Sequence, residues 1–65
     1  MVYLDDKPLR APAGVTLLAL LKLAGLDPAL TAVTVNGRFV PRYEYKDLKL
    51  PEGARVRARE LHDGG

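Results

Sequence analysis

Residues 32–40 read AVTVNGRFV and encode a complete β-hairpin, the strongest structural signal in the chain. β-Branched and aromatic residues flank the pair Asn36-Gly37, as in two short strands joined by a tight turn. Both central residues of a type I′ turn need a positive φ, which Asn and Gly adopt at the least cost. Pro41 lacks an amide hydrogen and is predicted to end the second strand.

The segment before the hairpin is predicted to contain one amphipathic helix. Thr16 is a suitable N-cap, and the helix is expected to run to about Ala24. Gly25 occupies the usual position of a left-handed C-cap. We expect Leu18 and Leu23 to lie at the rim of the core. The apolar stripe follows the spacing i, i+3, i+4, i+7 and consists of Leu17, Leu20, Leu21 and Ala24.

Shorter sequence patterns, before the helix and after the hairpin, predict the remaining secondary structure. Residues 1–4 and 55–59 alternate in hydropathy, which is the period-2 pattern of a half-buried strand. Residues 5–7 (DDK) are predicted to form a tight turn, from which residues 9–11 return as the second strand. Residues 42–48 have no clean period and are predicted to form a short helical turn.

The order of these elements predicts the fold class. A hairpin, a crossing helix, a second hairpin and a last strand suit a mixed sheet curled around one helix. We therefore expect an α+β protein with a β-grasp (ubiquitin-like) arrangement and about five strands. Its first and last strands would lie side by side in parallel, since the intervening helix and hairpin supply the long crossover. Residues 1–60 are predicted to form this domain, and residues 61–65 a flexible tail.

The composition restricts the chemistry that the chain can perform. Its 65 residues allow one domain. The sequence has no cysteine, which excludes a cysteine nucleophile, a redox pair and a Cys-ligated zinc. A single histidine, His62, excludes a His-pair metal site, and Asp5, Asp6 and Asp63 lack the spacing of a Ca²⁺ or Mg²⁺ loop. We expect neither a metal site nor a standalone enzyme.

Charge and hydropathy narrow the classes of partner. Ten Lys and Arg residues against eight Asp and Glu residues give a net charge of +2, too weak to predict nucleic-acid binding. The longest apolar run, residues 17–21, is far shorter than the roughly 20 residues that span a bilayer. The first residues lack the pattern of a secretory signal, so a cytoplasmic location, without membrane partners, is expected.

The sequence ends in two glycines, and their chemistry makes the tail the main functional candidate. A free carboxylate is a poor electrophile and must first be activated, most simply as an acyl-adenylate made with ATP. Gly64 and Gly65 lack a Cβ, so their backbone can pass through a narrow channel with φ of either sign. Asp63 and His62 would enter the channel behind them, with His62 solvated rather than catalytic. The activated carbonyl could accept sulfide, giving a thiocarboxylate, or an amine, giving an amide.

Residues 35–42 (VNGRFVPR) are followed by Leu50, Gly53, an alternating strand and the terminal pair Gly64-Gly65. In this combination the whole chain resembles the ThiS family of sulfur carriers in thiamine biosynthesis. Residues 12–17 (PAGVTL), which lead into the leucine-rich helix, also fit that family. A terminal Gly-Gly alone would be shared with the molybdopterin-synthase small subunit and with ubiquitin-like modifiers.

The resemblance implies a carrier rather than an enzyme. In that family the residue equivalent to Gly65 is adenylated by an E1-like adenylyltransferase and converted to a thiocarboxylate, which delivers sulfur to a thiazole synthase. The carrier binds no cofactor itself, while its activating partner uses ATP and a sulfur donor. Three alternatives stay open: a sulfur carrier for another pathway, such as molybdopterin, a ubiquitin-like protein modifier, or a non-covalent binding module.

Exposed strand residues are the candidates for a partner surface. Tyr3 and Phe39 are predicted to lie on the sheet face opposite the core, where they would bind a protein or form ordinary surface. Arg57 and Arg59, together with Arg55, would form a basic stripe on the same face. This stripe would attract an acidic partner or, alternatively, act only as a solvated strand edge. The chain alone is expected to be a monomer.

Overall fold

The computed structural model describes residues 1–12 and 14–61, which form a five-stranded mixed sheet and one α-helix. The sheet has the order β2-β1-β5-β3-β4. Strands β1 and β5 are parallel, and the other neighbours are antiparallel. The predicted α+β fold and the parallel pairing of the first and last strands are confirmed. The strands are β1 (Val2–Leu4), β2 (Lys7–Leu9), β3 (Thr31–Val35), β4 (Arg38–Val40) and β5 (Arg55–Glu60), and the helix is α1 (Leu17–Leu23).

The central hairpin forms as its sequence predicts and is fastened to the last strand. Asn36 and Gly37 have φ values of 52° and 83°, as a type I′ turn requires. The Asn36 amide donates a hydrogen bond to the Arg55 carbonyl oxygen at 2.7 Å. The Arg55 amide donates to Asn36 Oδ1 at 2.9 Å. Asn36 therefore both shapes the turn and aligns the hairpin with β5.

The first hairpin differs from its prediction in where the second strand lies. Strand β2 begins at Lys7 and ends at Leu9, so the expected strand over residues 9–11 is wrong. The turn contains only Asp5 and Asp6, with φ values of 50° and 69°, so Lys7 already pairs with Leu4. Pro8 is tolerated inside the strand because β2 forms an edge of the sheet.

The helix begins at its predicted cap. Thr16 Oγ1 accepts a hydrogen bond from the Ala19 amide at 3.2 Å. Helix α1 ends at Leu23, one residue before the predicted end, and Gly25 has the left-handed φ of 78°. Its stripe is fully buried at Leu17, Leu20 and Leu21.

The two leucines that flank this stripe have different surroundings. Both lie about 110° from the centre of the stripe on the helical wheel. Leu18 packs against the core because the segment over residues 42–48 covers its side, and the Leu18 amide donates to the Tyr45 carbonyl oxygen. Leu23 is 60% exposed. The prediction that Leu23 lies at the rim of the core is therefore wrong.

The core lies between α1 and the inner face of the sheet. The inward-facing valines of β1, β3, β4 and β5 are buried there, with Leu4 and Ala58 packed against them. Leu50 and Ala54 are also buried, although their segment is not a regular strand. The buried apolar residues are Val2, Leu17, Leu20, Leu21, Val33, Val35, Val40, Tyr45, Leu50, Ala54 and Val56.

Tyr45 is one of three core residues that the sequence pattern did not identify, together with Leu50 and Ala54. The segment 42–48 contains the predicted helical turn, a 3₁₀-helix over Arg42–Glu44, and this turn directs the Tyr45 ring inward. The side chain is 3% exposed, and its hydroxyl donates to the Thr31 carbonyl oxygen at 2.7 Å. Burial raises the pKa of Tyr45 above its ordinary value of 10.0, because the phenolate would lose hydration, and the nearby charge of Arg42 opposes this shift.

We expect Tyr45 to make folding sensitive to alkaline pH. Its pKa is higher in the folded than in the unfolded chain, so its contribution is complete below the unfolded pKa and is lost as the pH rises above about 10. Tyr45→Phe should remove this contribution to the loss of stability at alkaline pH. At neutral pH it should lower the free energy of unfolding by about 1 kcal/mol, because the hydrogen bond to the Thr31 carbonyl oxygen is missing. Urea unfolding across the alkaline range measures both effects. Tyr43→Phe, at a side chain that is 75% exposed, is the matched control and should retain the alkaline loss.

Candidate functional site: the open sheet face and the base of the tail

The last strand of the fold, which precedes residues 61–65, lies in the middle of the sheet. Strand β5 lies between β1 and β3 and ends at Glu60. One further contact follows, because the Leu61 amide donates to the Leu30 carbonyl oxygen at 2.6 Å. The predicted site residues beyond it lie outside the described residues; they are His62, Asp63, Gly64 and Gly65.

Leu30 and Leu61 lie side by side at the end of the described chain, here called the base of the tail. Leu30 belongs to a 3₁₀-helix over Pro28–Leu30, which Asp27 caps by accepting from the Ala29 amide, and which the sequence analysis did not predict. Leu30 and Leu61 are 52% and 51% exposed, respectively. An exposed apolar pair therefore lies at the end of the described chain, directly before residue 62.

The outer face of the sheet, opposite α1, carries all four predicted partner-binding residues. Along β5, Val56 is buried while Arg57 and Arg59 are exposed, as the alternation of a strand requires. Phe39 on β4 is 64% exposed, and Tyr3 on β1 is 39% exposed. The structure thus places these residues on the face where the sequence analysis expected them.

The register of the strands brings three of the four residues together. Thr34 of β3 is paired with Arg57 on one side and with Phe39 on the other. Ala32 of β3 is paired with Arg59. Tyr3 is instead paired with Arg55, at the other end of β5. The predicted surface therefore consists of one close group and a separate tyrosine.

The close group surrounds an open groove of about 480 Å³, here called the sheet-face groove. Its floor is formed by the small side chains of Ala32 and Thr34, which are only half-buried. Phe39 lies on one side of this floor, and the two arginines lie on the other. The groove residues that matter for its chemistry are Asp5, Ala32, Thr34, Phe39, Arg57 and Arg59.

The floor of this groove is not among the residues predicted from the sequence. Ala32 and Thr34 alternate with the buried Val33 and Val35, so their outward direction was available from the period-2 pattern. Their small size gave no functional signal, because small outward residues are ordinary in strands. They form the floor of a groove because larger side chains of the neighbouring strands, β4 and β5, lie on both sides of them.

Acidic residues of the first hairpin lie at one end of the groove. Asp5 Oδ1 accepts a hydrogen bond from the Ala58 amide at 3.2 Å, so this carboxylate satisfies a backbone donor of β5. Asp6 Oδ2 lies 3.6 Å from an Arg57 guanidinium nitrogen, and both side chains are 73% exposed. A solvated pair at this distance contributes little to stability. Among residues 1–12 and 14–61, Arg59 has no ion pair.

Within residues 1–12 and 14–61, no three His, Cys, Asp or Glu side chains come together as a metal site would require. The described residues also include no helix with the length and apolar character needed to cross a membrane.

Comparison with known proteins provides a structural match but no sequence match. No protein-family model matches the chain, and no curated protein matches it. The crystal structure of the thiamine biosynthesis protein (ThiS) from Geobacter metallireducens superposes on the chain with a TM-score of 0.80 and 19% sequence identity. The superposition covers 98% of this chain and 97% of that one. At this identity the likeness concerns the fold, and it confirms that the chain has the β-grasp fold of a ThiS protein.

Proposed function

We propose that the chain is a sulfur carrier of thiamine biosynthesis and that Gly65 is its reactive residue. The observation that carries the proposal is the Gly64-Gly65 pair at the end of a chain whose fold matches a ThiS protein over 98% of its length. The motif VNGRFVPR supports it, because Asn36 of this motif joins the hairpin turn to β5, the strand that leads to the terminal glycines. The reaction would take place in the cytoplasm.

The proposed chemistry takes place at the terminal carboxylate. A carboxylate oxygen of Gly65 attacks the α-phosphorus of ATP, and pyrophosphate leaves. Sulfide from a donor then attacks the carbonyl carbon of the acyl-adenylate, and AMP leaves with the former carboxylate oxygen. The product is a thiocarboxylate, whose sulfur is later transferred to the forming thiazole. In this reaction the chain is a co-substrate, and its partners, an E1-like adenylyltransferase and a thiazole synthase, supply the catalytic groups.

The fold contributes a fixed starting point for the tail. The hydrogen bond from the Leu61 amide to the Leu30 carbonyl oxygen holds Leu61 beside Leu30, directly after β5. The four residues 62–65 can extend at most about 14 Å from this point. A partner must therefore bring its reactive site within this distance of Leu61. Because the glycines add no Cβ, the last residues can enter a channel too narrow for other side chains.

Intact-mass spectrometry tests the proposal directly. The chain is incubated with an E1-like adenylyltransferase of thiamine biosynthesis, ATP and a sulfide donor. We expect its mass to rise by the difference between one sulfur and one oxygen atom, and we expect no change without ATP. An adenylyltransferase that converts its own carrier but leaves this chain unchanged would contradict the proposal. Transfer of the chain to lysine side chains, without a thiocarboxylate, would indicate a protein modifier instead.

A further inference from the structure

We propose that the sheet-face groove binds an acidic segment of the partner protein that activates the tail. One large apolar side chain of this segment would lie on the groove floor, and neighbouring carboxylates would contact Arg57 and Arg59. The inference rests on the proposed function, because it identifies the chemistry by which the carrier recognises that partner. Its test includes a binding measurement that does not depend on sulfur transfer.

The shape of the groove favours an apolar anchor from a protein. Ala32 and Thr34 leave space above the sheet, and the exposed Phe39 ring supplies an apolar contact on one side. The volume of about 480 Å³ accommodates a large side chain. The groove is open along an extended sheet face, which suits a segment attached to a larger surface.

The charge on the opposite side of the groove favours a carboxylate-bearing segment. Arg57 and Arg59 present planar guanidinium groups, which bind carboxylates through paired hydrogen bonds. Asp6 pairs only loosely with Arg57, because its carboxylate oxygen lies 3.6 Å from the guanidinium nitrogen and both side chains are largely solvated. A carboxylate of the partner can replace Asp6 without breaking a buried contact. The arginines therefore remain available for an incoming acidic segment.

The position of the groove connects this binding to the tail. Arg59 and Ala32 form the last paired row of the groove, and Leu61 and Leu30 lie two residues further along the same chain segments. Two residues of extended chain correspond to about 7 Å. A protein seated in the groove would consequently cover the base of the tail and receive residues 62–65 at its own surface.

The same face suits nucleic acid less well. Asp5 lies in the groove and Asp6 beside it, so both would repel a phosphate backbone. Among the residues that the structure describes, Phe39 is the only aromatic residue that lines the groove, whereas single-stranded nucleic acid is usually held by several stacking rings. The net charge of +2 adds little long-range attraction. An acidic protein segment is therefore the occupant that fits both the shape and the charge.

Binding and kinetics with the full chain and the E1-like adenylyltransferase test this assignment. Fluorescence anisotropy of the labelled chain, without ATP, gives Kd, and pyrophosphate exchange gives KM and kcat for the carrier. We expect the double variant Arg57→Gln/Arg59→Gln to raise Kd and KM about tenfold and to leave kcat unchanged. Raising sodium chloride from about 0.05 to about 0.5 M should weaken the wild-type complex and affect this variant much less.

Three further variants separate the groove from general effects. Arg10→Gln/Lys22→Gln makes the same change in net charge at exposed positions outside the groove and should change Kd less than about twofold. Asp6→Asn removes the competing carboxylate and should tighten binding about twofold to threefold. Ala32→Phe fills the floor without changing charge and should weaken binding about as strongly as the arginine changes, with circular dichroism confirming that the sheet is intact.

The outcomes separate this inference from the proposed function. Thiocarboxylate formation with a Kd that none of the groove variants alters would overturn the groove assignment and leave the carrier function standing. Binding that depends on the groove residues, without any thiocarboxylate formation, would contradict the proposed function and leave the groove assignment standing. An equal loss in the Arg10/Lys22 control would also overturn the assignment, since net charge would then explain the binding. Tighter, arginine-dependent binding of a random single-stranded oligonucleotide would reassign the groove to nucleic acid.

Discussion

Removal of Gly64 and Gly65 is expected to abolish thiocarboxylate formation completely while leaving the fold intact. The shortened chain would end at Asp63, so its terminal carboxylate would lie about 7 Å short of the position that Gly65 reaches. It would also present a charged side chain with a Cβ at the entrance of the channel. All described core contacts involve residues that precede the deletion, so the thermal midpoint should change by no more than about 1 °C.

Single substitutions distinguish the effect of tail length on the reaction from the effect of side-chain bulk. Gly64→Ala and Gly65→Ala keep the full length and add only a methyl group, so we expect slower conversion rather than none. Intact mass after incubation with the adenylyltransferase, ATP and sulfide measures all three variants. Full conversion of the shortened chain would show that the glycines are incidental, and the interpretation as a non-covalent binding module would then be preferred.

Leu20→Ala is expected to produce the largest loss of stability. Leu20 is fully buried between α1 and the sheet, and truncation of such a residue typically costs about 2–5 kcal/mol. Small domains have only about 0.05–0.15 kcal/mol of stability per residue. For 65 residues this amounts to roughly 3–10 kcal/mol, so the variant loses a large share of the total. Urea denaturation followed by circular dichroism gives the change in the free energy of unfolding.

Leu23→Ala provides a matched control on the same helix. The chemical change is identical, but Leu23 is 60% exposed and is not part of the core cluster. We expect it to cost less than about 1 kcal/mol, because little apolar surface is lost from the interior. Equal losses at both positions would contradict the assigned packing of α1.

Local sequence signals predicted the elements whose conformation depends on neighbouring residues. The Asn36-Gly37 turn, the Thr16 cap and the left-handed Gly25 each follow from conformational preferences that act within a few residues. The start of β2 was misplaced because Lys7 was assigned to the turn, whereas Asp5 and Asp6 alone complete it and Lys7 already pairs with Leu4.

Features that depend on packing were less accessible from the sequence. Leu18 and Leu23 are equivalent on the helical wheel, and only the position of the segment over residues 42–48 decides which is covered. Tyr45 lies in a segment without hydrophobic periodicity, so its burial could not be predicted from the pattern.

The sequence by itself determined the β-grasp arrangement, the absence of cysteine chemistry and the terminal glycines on which the proposed reaction depends. The tertiary structure decided which exposed residues become a surface. Phe39, Arg57 and Arg59 meet around Ala32 because β3 pairs with β4 on one side and with β5 on the other, while Tyr3 pairs elsewhere. Alternation along a strand fixes the face of a residue, but its neighbours on that face depend on the register between segments distant in sequence.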